Sequence, residues 1–306
     1  MPDKPVLTKE ERSARRAARR ENQRRLNLGR AEKMRKARLE FVQEEKPVKS
    51  AKAEKLQYYI GCSGWYYWHW AGQFYPAELP RKDWFSHYSS NFDTVELNAP
   101  FYSWPTIATV KTWLKQAGER KFIYTVKVSE LITHIRKFQD TKELVQDFSH
   151  IADMLGPRMG CFLFQLPPSV HYSPELLQDI LSQLDHTRRN VVEFRHASWW
   201  NEEVYAAFRE KGTIFCACSG PRLPDDLVKT ADDIYVRFHG TSQWYRHEYS
   251  QEELAVWVRR IKESGAKNVW AYFNNDIGGH AIHNAKELLK QLQQWDRKVA
   301  KASKDL

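Results

Sequence analysis

The chain has 306 residues and a formal net charge of +10, and 42% of its residues are hydrophobic, with 12 tryptophans among them. This composition supplies a sizeable core and excludes a wholly disordered or collagen-like chain. The four cysteines form neither a C-x-x-C pair nor a secreted disulfide framework, and no apolar run approaches the roughly 18 residues of a membrane span. We therefore expect a cytoplasmic protein that has no membrane partner.

The excess positive charge lies in an N-terminal extension. Residues 1–57 hold 18 Lys and Arg against 9 Asp and Glu, a net charge of +9, whereas residues 58–306 have a net charge of +1. From residue 8 to residue 45 the composition favours a helix, and residues 46–55 are typical of a polar linker. Such charge runs usually form a solvated, partly helical tail, which is our first interpretation. The second interpretation is an arm that binds nucleic-acid phosphates.

The body, residues 58–306, alternates short apolar segments with helical patterns, which favours a parallel β/α architecture. Eight strands are predicted at residues 58–62, 94–98, 122–128, 161–166, 191–194, 213–217, 234–238 and 268–273. Helices are predicted at residues 84–90, 107–117, 142–155, 174–184, 202–211, 252–264 and 281–295, with at most a short helix in 222–229. Eight such units in about 250 residues are typical of an α/β fold, the TIM (β/α)8 barrel. An open doubly wound sheet is the alternative, but no Gly-rich dinucleotide fingerprint follows the first strand.

Eight short motifs follow one another along the body. They are GCSGW at 61–65, FYP at 74–76, TVELN at 94–98, FY at 101–102, FQLPP at 164–168, VEFRH at 192–196, RFHG at 237–240 and YFNN at 272–275. With these motifs, residues 58–290 resemble the YecE-like family of TIM barrels, known as domain of unknown function 72 (DUF72). The resemblance implies a barrel and no established reaction. Similar sequences often carry an Asp just after the sixth strand, where this chain has Ser219.

One face of the predicted strands is polar. Side chains alternate along a strand, so the apolar parity should face the helices and the polar parity the barrel axis. The axial polar set near the C-terminal strand ends is Glu96, Asn98, Lys127, Gln165, Glu193, Arg195, Arg237, His239 and Asn274. TIM-barrel interiors are ordinarily filled by Val, Ile and Leu, and their active sites lie at this end. The pattern predicts a ligand site; the alternative is a self-contained network that pairs Glu193 with Arg195 and Glu96 with Lys127 or Arg237.

The predicted site suggests acid/base chemistry of the hydrolase type. Glu96 and Glu193 are the candidate acid and base, or acid and nucleophile, and His239 is an alternative base. Three cations against two glutamates indicate an anionic or polyhydroxylated ligand, such as a sugar- or phosphate-bearing substrate. The predicted substrate-binding residues are Trp65, Asn98, Lys127, His134, Gln165, Arg195, Arg237 and Asn274. Lys127 is expected to clamp an anion, although a Schiff base would follow if neighbouring cations depressed its pKa.

Further features leave alternatives open. Seven tryptophans follow predicted strands and suit stacking on sugars or bases, or simple packing of the barrel mouth: Trp65, Trp68, Trp70, Trp104, Trp199, Trp200 and Trp244. The pair Gly278-Gly279 precedes the last helix, where a phosphate could bind. A metal centre using Glu96, Glu193, His239, His134 or His280 lacks a complete ligand set, so no metal is predicted and any cofactor is undetermined. Cys216 and Cys218 are interpreted as small core residues. A non-catalytic binding barrel, tethered by the basic arm, is the remaining alternative.

Overall fold

The computed structural model describes residues 8–41 and 56–302. Its eight strands are β1 (Gln57–Cys62), β2 (Thr94–Leu97), β3 (Ile123–Lys127), β4 (Met159–Gln165), β5 (Asn190–Glu193), β6 (Ile214–Ser219), β7 (Asp233–Phe238) and β8 (Asn268–Phe273). The α-helices are α1 (Lys9–Glu40), α2 (Trp84–Ser89), α3 (Ala99–Tyr102), α4 (Ile107–Ala117), α5 (Lys142–Leu155), α6 (Pro174–Gln183), α7 (Glu202–Lys211), α8 (Gln251–Glu263) and α9 (His280–Ala302). Within these residues, no helix combines the length and the apolar character needed to cross a bilayer.

The strands form a nearly closed parallel barrel, which confirms the predicted TIM-barrel fold. Their order is β1-β8-β7-β6-β5-β4-β3-β2, and each neighbouring pair is parallel. At the seam between β1 and β2, a tyrosine hydroxyl links the two strands in place of backbone–backbone hydrogen bonds. The Tyr88 hydroxyl accepts from the Cys62 N–H at 2.9 Å and donates to the Thr94 carbonyl at 3.0 Å. Gly61 permits this approach, because a Cβ there would lie 2.5 Å from the Thr94 oxygen.

Local signals in the sequence set most helix bounds. Ser250 closes a capping box with Glu253, and Ser173 accepts from the Leu176 N–H with Pro174 at the first helical position. The connection at 222–229, for which the sequence predicts at most a short helix, contains no helix. The short segments that were not predicted include α3 and a π-helical turn, Leu131–Ile135.

The predicted alternation along the strands is confirmed. The apolar side chains that face the axis form a small cluster of their own: Cys161, Leu163, Val191, Ile214, Cys216, Cys218, Tyr235, Trp270 and Tyr272. The opposite parity packs against the helices in a much larger core. In the middle of the axis the Tyr272 hydroxyl lies 2.7 Å from Thr94 Oγ1 and 3.0 Å from Thr125 Oγ1. Apolar and aromatic side chains, together with these hydroxyls, fill the axis below the charged groups.

The N-terminal extension docks onto the barrel along half its described length, so the interpretation as a solvated tail is wrong for that half. Helix α1 ends at Glu40, and residues 42–55, with the predicted linker, lie outside the described residues. Asn27, Ala31 and Met34 are buried at helical spacing, although apolar residues are sparse in this segment. Docking therefore relies largely on polar contacts, which hydrophobic patterning does not reveal. We propose that residues 1–57 form an N-terminal extension and that residues 58–306 form the barrel domain.

Candidate functional site at the barrel mouth

The centre of the barrel mouth is a buried ion-pair network around one arginine. Arg237, at the end of β7, donates from Nη1 to Glu193 Oε2 at 2.6 Å. It also holds both oxygens of Glu96, through Nη2 at 2.6 Å and Nε at 3.0 Å. The three side chains are at most 1% exposed, although they come from β2, β5 and β7. The structure thus brings together three residues that the sequence predicted to converge.

Glu96 is fully occupied as a hydrogen-bond acceptor. Besides Arg237, it accepts from the Ser63 hydroxyl at 2.8 Å and from the Tyr235 hydroxyl at 2.5 Å. These four hydrogen bonds use the roughly four acceptor positions that the two oxygens of a carboxylate offer. This geometry favours Glu96 as the group that orients Arg237. Its assignment to proton transfer stays a prediction.

Glu193 is held between two guanidinium groups. Its Oε1 forms an ion pair with Arg195 Nε, and its Oε2 meets Arg237. Burial raises the pKa of Glu193, but Arg195 and Arg237 outweigh burial and bring that pKa well below its ordinary value. Glu193 is therefore a carboxylate at neutral pH. Such a group can act as a base or nucleophile but not as an acid.

His239 is a neutral imidazole at physiological pH. Burial, with the cations Arg195 and Arg237, lowers its pKa to about 3. Arg195 Nη2 donates to His239 Nε2 at 2.9 Å, because a guanidinium has no acceptor. Asn274 Nδ2 lies 3.3 Å from His239 Nδ1. His239 therefore does not provide a base that titrates near pH 7. The catalytic role assigned to His239 stays a prediction.

Lys127 differs from the other cations of the mouth. Its Nζ donates to Gln165 Oε1 at 2.6 Å and lies 4.0 Å from the centre of the Phe101 ring. Within the described part of the chain, no carboxylate forms an ion pair with it. Burial, with the nearby Arg237 guanidinium, lowers the pKa of Lys127 to about 7. About half of this amine is consequently neutral at pH 7.

An upper layer of half-buried polar side chains covers the deep charges. It consists of Asn98, Gln165, Arg195 and Asn274, with Lys127 just beneath. Asn98 donates to the Ser63 carbonyl at 3.2 Å, and its Oδ1 is buried with no hydrogen-bond partner among the described residues. A ligand that enters the mouth meets this layer first. The candidate site therefore consists of the upper layer and Lys127, and the ion-pair network lies beneath them.

His134 and Trp65 lie at the rim. Burial and Lys127 lower the pKa of His134 to about 4, and its Nδ1 lies 2.9 Å from Thr133 Oγ1. Its ring packs edge-on against Phe101, the same ring that contacts Lys127. Trp65 instead packs edge-on against Phe85 of α2, at 5.1 Å between ring centres. Its position favours packing over contact with a ligand.

The tryptophans that follow the strands divide into two groups. Trp70, Trp104 and Trp199 are fully buried, so stacking on a ligand is excluded for them in this structure. Trp68 is 75% exposed. Trp244 is half-buried and lies over Arg195, with the guanidinium carbon 4.8 Å from the ring centre. Trp244 thus covers the cation at the edge of the upper layer.

The deepest part of the mouth is poorly suited to bind a metal ion. Ligand atoms of Glu193, Cys218 and His239 all lie within 4.8 Å of one another. However, Arg195 and Arg237 already contact this carboxylate, and their positive charge opposes a metal ion at the same point. His280 lies away from these residues, with Nδ1 3.4 Å from Glu248. The donor set gives no support to a metal centre.

Ser219 faces away from the mouth. It is the last residue of β6, one position beyond the axial Cys218, and therefore belongs to the helix-facing parity. Its hydroxyl accepts from the Tyr249 hydroxyl at 2.7 Å. An aspartate here would replace a contact with Tyr249 and would not add a carboxylate to the upper layer.

Sequence reasoning did not assign roles to three residues of the site, namely Ser63, Phe101 and Tyr235, and gave Trp244 only a general role in stacking or packing. Each of the four contacts a predicted site residue. Extending the alternation of β1 by one residue would have placed Ser63 on the axis, and Tyr235 already shares the parity of Arg237. Phe101 and Trp244 lie in connections, where no periodicity predicts the direction of a side chain.

The amino-terminal end of the barrel contains cavities of about 730 and 820 Å³, lined at the strand starts by residues such as Gln57, Ile123 and Asn268. They are distant from the ion-pair network. In TIM barrels this end ordinarily serves stability, whereas chemistry occurs at the carboxyl ends of the strands. We therefore place the candidate site at the mouth.

Comparisons with known proteins agree on one family. A family model described as "Protein of unknown function DUF72" matches residues 59–305. The UPF0759 protein YunF of Bacillus subtilis is 28% identical, over 76% of this chain and 94% of that protein. The UPF0759 protein YecE of Escherichia coli is 24% identical, over 58% of this chain and 73% of that protein. The crystal structure of a DUF72 family protein from Thermotoga maritima has a TM-score of 0.71 and 28% identity, covering 78% of this chain and 99% of that one.

Proposed function

The chain belongs to the DUF72 family, and we propose that its barrel is an enzyme that acts on a small sugar- or phosphate-bearing substrate at the C-terminal mouth. The observation that carries the proposal is the Lys127 amine. It is buried beside two arginines, lacks a carboxylate partner in the described residues, and has its pKa lowered to about 7. A perturbed lysine among convergent polar groups is typical of functional sites.

The charges around Lys127 support an anionic substrate. Glu96 and Glu193 are neutralised by Arg237 and Arg195, so a protonated Lys127 leaves one excess positive charge in the mouth. Asn98 contributes an acceptor that has no partner in the described chain. An oxygen-rich molecule with one negative group would satisfy both features, because it offers hydroxyl donors as well as an anion.

The proposed chemistry is general acid/base catalysis. The ammonium form of Lys127, which an anionic substrate favours, can donate a proton from Nζ to the leaving group, and the neutral amine that results can take a proton back from the attacking water. Gln165 orients the amine, since its amide oxygen is the acceptor of the Nζ hydrogen bond. Glu96 and Glu193 hold the arginines in place, and Arg195 at the upper layer faces the substrate. The proposed reaction is of the hydrolase type, as in the prediction from the sequence. The group that transfers the proton is Lys127 instead of the two glutamates.

The test is a comparison of Lys127→Gln with Lys111→Gln, an exposed lysine on α4 that serves as the matched control. Thermal stabilisation is measured with inorganic phosphate, glucose 6-phosphate and ribose 5-phosphate. Any ligand that stabilises the wild type is then assayed for turnover. We expect Lys127→Gln to lose the stabilisation and to lower turnover by about 10²-fold or more, with Lys111→Gln unchanged. Equal binding and turnover in Lys127→Gln would remove Lys127 from the site.

A further inference from the structure

Helix α1 is anchored to the loop that forms one side of the barrel mouth. The Asn27 side chain clamps the backbone there, accepting from the Trp104 N–H at 3.0 Å and donating to the Tyr102 carbonyl at 3.1 Å. Arg30 donates to the Trp104 carbonyl at 3.2 Å. This loop follows β2 and α3, so the anchor lies at the carboxyl end of the strands.

The order of the remaining contacts gives the direction of α1. Arg35 pairs with Glu143 in the first turn of α5 at 2.8 Å, and Arg38 pairs with the buried Asp147 at 2.9 Å. Phe41 then packs against His150, with 5.1 Å between ring centres. Because α5 follows β3 and returns from the mouth, α1 descends along the barrel from Asn27 onward. Its earlier residues therefore extend beyond the mouth.

The projecting part of α1 is basic and solvent-exposed. Residues 9–22 are exposed on every side and span about 21 Å at 1.5 Å per residue. They contain six basic and three acidic residues. Four arginines of this part have no acidic partner among the described residues: Arg15, Arg16, Arg19 and Arg20. Its apolar side chains are alanines alone, which leaves no face able to insert into a lipid surface.

Large aromatic rings lie exposed at the same end of the barrel. Trp68 and Tyr66, in the connection after β1, are 75% and 59% exposed. Tyr102, whose carbonyl anchors Asn27, is 61% exposed. The two connections are neighbours, because β1 and β2 meet at the seam of the barrel. Such rings provide stacking faces close to a cationic helix.

We propose that the projecting half of α1, together with these rings, forms a surface that binds single-stranded nucleic acid beside the barrel mouth. A cationic track combined with exposed aromatic rings is the chemistry that binds a phosphate backbone and unpaired bases. A duplex would engage the arginines but hide its bases from the rings. The proposal concerns α1 and the rim, and it stands whether or not Lys127 is catalytic.

The experiment uses the full chain and labelled 20-nucleotide oligomers: single-stranded RNA, single-stranded DNA and a DNA duplex. Fluorescence anisotropy is recorded between 50 and 300 mM NaCl. We expect both single strands, or one of them, to bind more tightly than the duplex, with affinity falling steeply as salt rises. Arg15→Gln/Arg16→Gln/Arg19→Gln should weaken binding at least tenfold and reduce the slope of log Kd against log salt by about 2. Circular dichroism verifies that α1 remains helical.

Two matched controls separate this surface from general charge and general aromaticity. Arg297→Gln/Lys298→Gln/Lys301→Gln on α9 removes the same charge elsewhere and should alter affinity less than twofold. Trp68→Ala should weaken single-strand binding about tenfold, whereas Trp295→Ala, also exposed, should have no effect.

Three results would overturn the proposal. The first is absence of oligonucleotide binding at 50 mM NaCl, with or without binding to vesicles that contain phosphatidylserine. The second is equal weakening by the α1 and α9 triple variants, which would mean non-specific attraction. The third is tighter binding of the duplex together with no effect of Trp68→Ala, which would leave the rings without a role.

Discussion

Lys127 should make anion binding at the barrel mouth depend on pH. With a pKa of about 7 in the free protein, its protonated fraction falls from about 0.9 at pH 6 to about 0.1 at pH 8. A bound anion favours the ammonium, so binding above pH 7 must also take up a proton. We therefore expect the Kd to rise about tenfold from pH 6 to pH 8, equivalent to about 1.4 kcal/mol.

Sulfate is the suitable probe, because it remains a dianion across this range and any pH effect then belongs to the protein. Isothermal titration calorimetry at pH 6, 7 and 8, each in two buffers of different ionisation enthalpy, yields the Kd and the number of protons taken up. Proton uptake should approach one per sulfate at pH 8. Lys127→Arg keeps its charge at all three values, so its Kd should be nearly constant. Lys127→Gln should bind weakly at every pH.

A wild-type Kd that is equal at pH 6 and pH 8, with no proton uptake, would refute the reasoning. It would mean either that Lys127 does not contact the anion or that its amine does not titrate near 7. The Lys127→Gln variant separates these cases. If it binds sulfate more weakly than the wild type, the contact is real and only the titration is in error; if it binds equally well, Lys127 does not contact the anion.

Three further predictions concern stability. Because the pKa of Lys127 is lower in the folded state, the unfolded chain binds more protons between about pH 7 and 10.5, so the free energy of unfolding should rise with pH over that window; urea unfolding of Lys127→Met should lose this rise. Tyr88→Phe leaves the Cys62 N–H without its acceptor at the β1–β2 seam and should cost about 1–3 kcal/mol in the same assay, and an unchanged midpoint would show that the seam does not need the hydroxyl. Glu96→Gln removes one charge of the buried pair with Arg237 and should cost about 3–5 kcal/mol, against no measurable change for the exposed Glu119→Gln.

Local patterns determined most of the architecture. Strand alternation predicted that Glu96, Glu193 and Arg237 share the barrel axis, and this holds because an alternating side-chain direction is a property of the extended backbone alone. The helix starts predicted at residues 174 and 252 are likewise local, because the side chains of Ser173 and Ser250 bond to backbone N–H groups of the helices that they precede. These features depend on residues close together in the sequence.

Pairing within the mouth was decided only by the tertiary structure. From the sequence, Glu96 had Lys127 or Arg237 as a partner, and the fold assigns it to Arg237 with two oxygens engaged. That assignment leaves Lys127 with an amide as its hydrogen-bond partner. Burial and the Arg237 guanidinium lower the pKa of Lys127, and the carboxylates of Glu193 and Glu96 oppose this only in part. No local pattern encodes such a balance, since these groups come from β2, β3, β5 and β7.

The same distinction between local sequence and tertiary structure applies to the basic extension. Composition favoured a helix from residue 8 to residue 45, because Arg, Ala, Glu and Lys are good helix formers, and the structure has one at Lys9–Glu40. Whether the helix lies free or docks was decided by partners more than 70 residues away, the loop at Tyr102–Trp104 and the buried Asp147. Helix formation is a local free-energy balance, whereas docking needs a complementary surface that exists only once the barrel has folded.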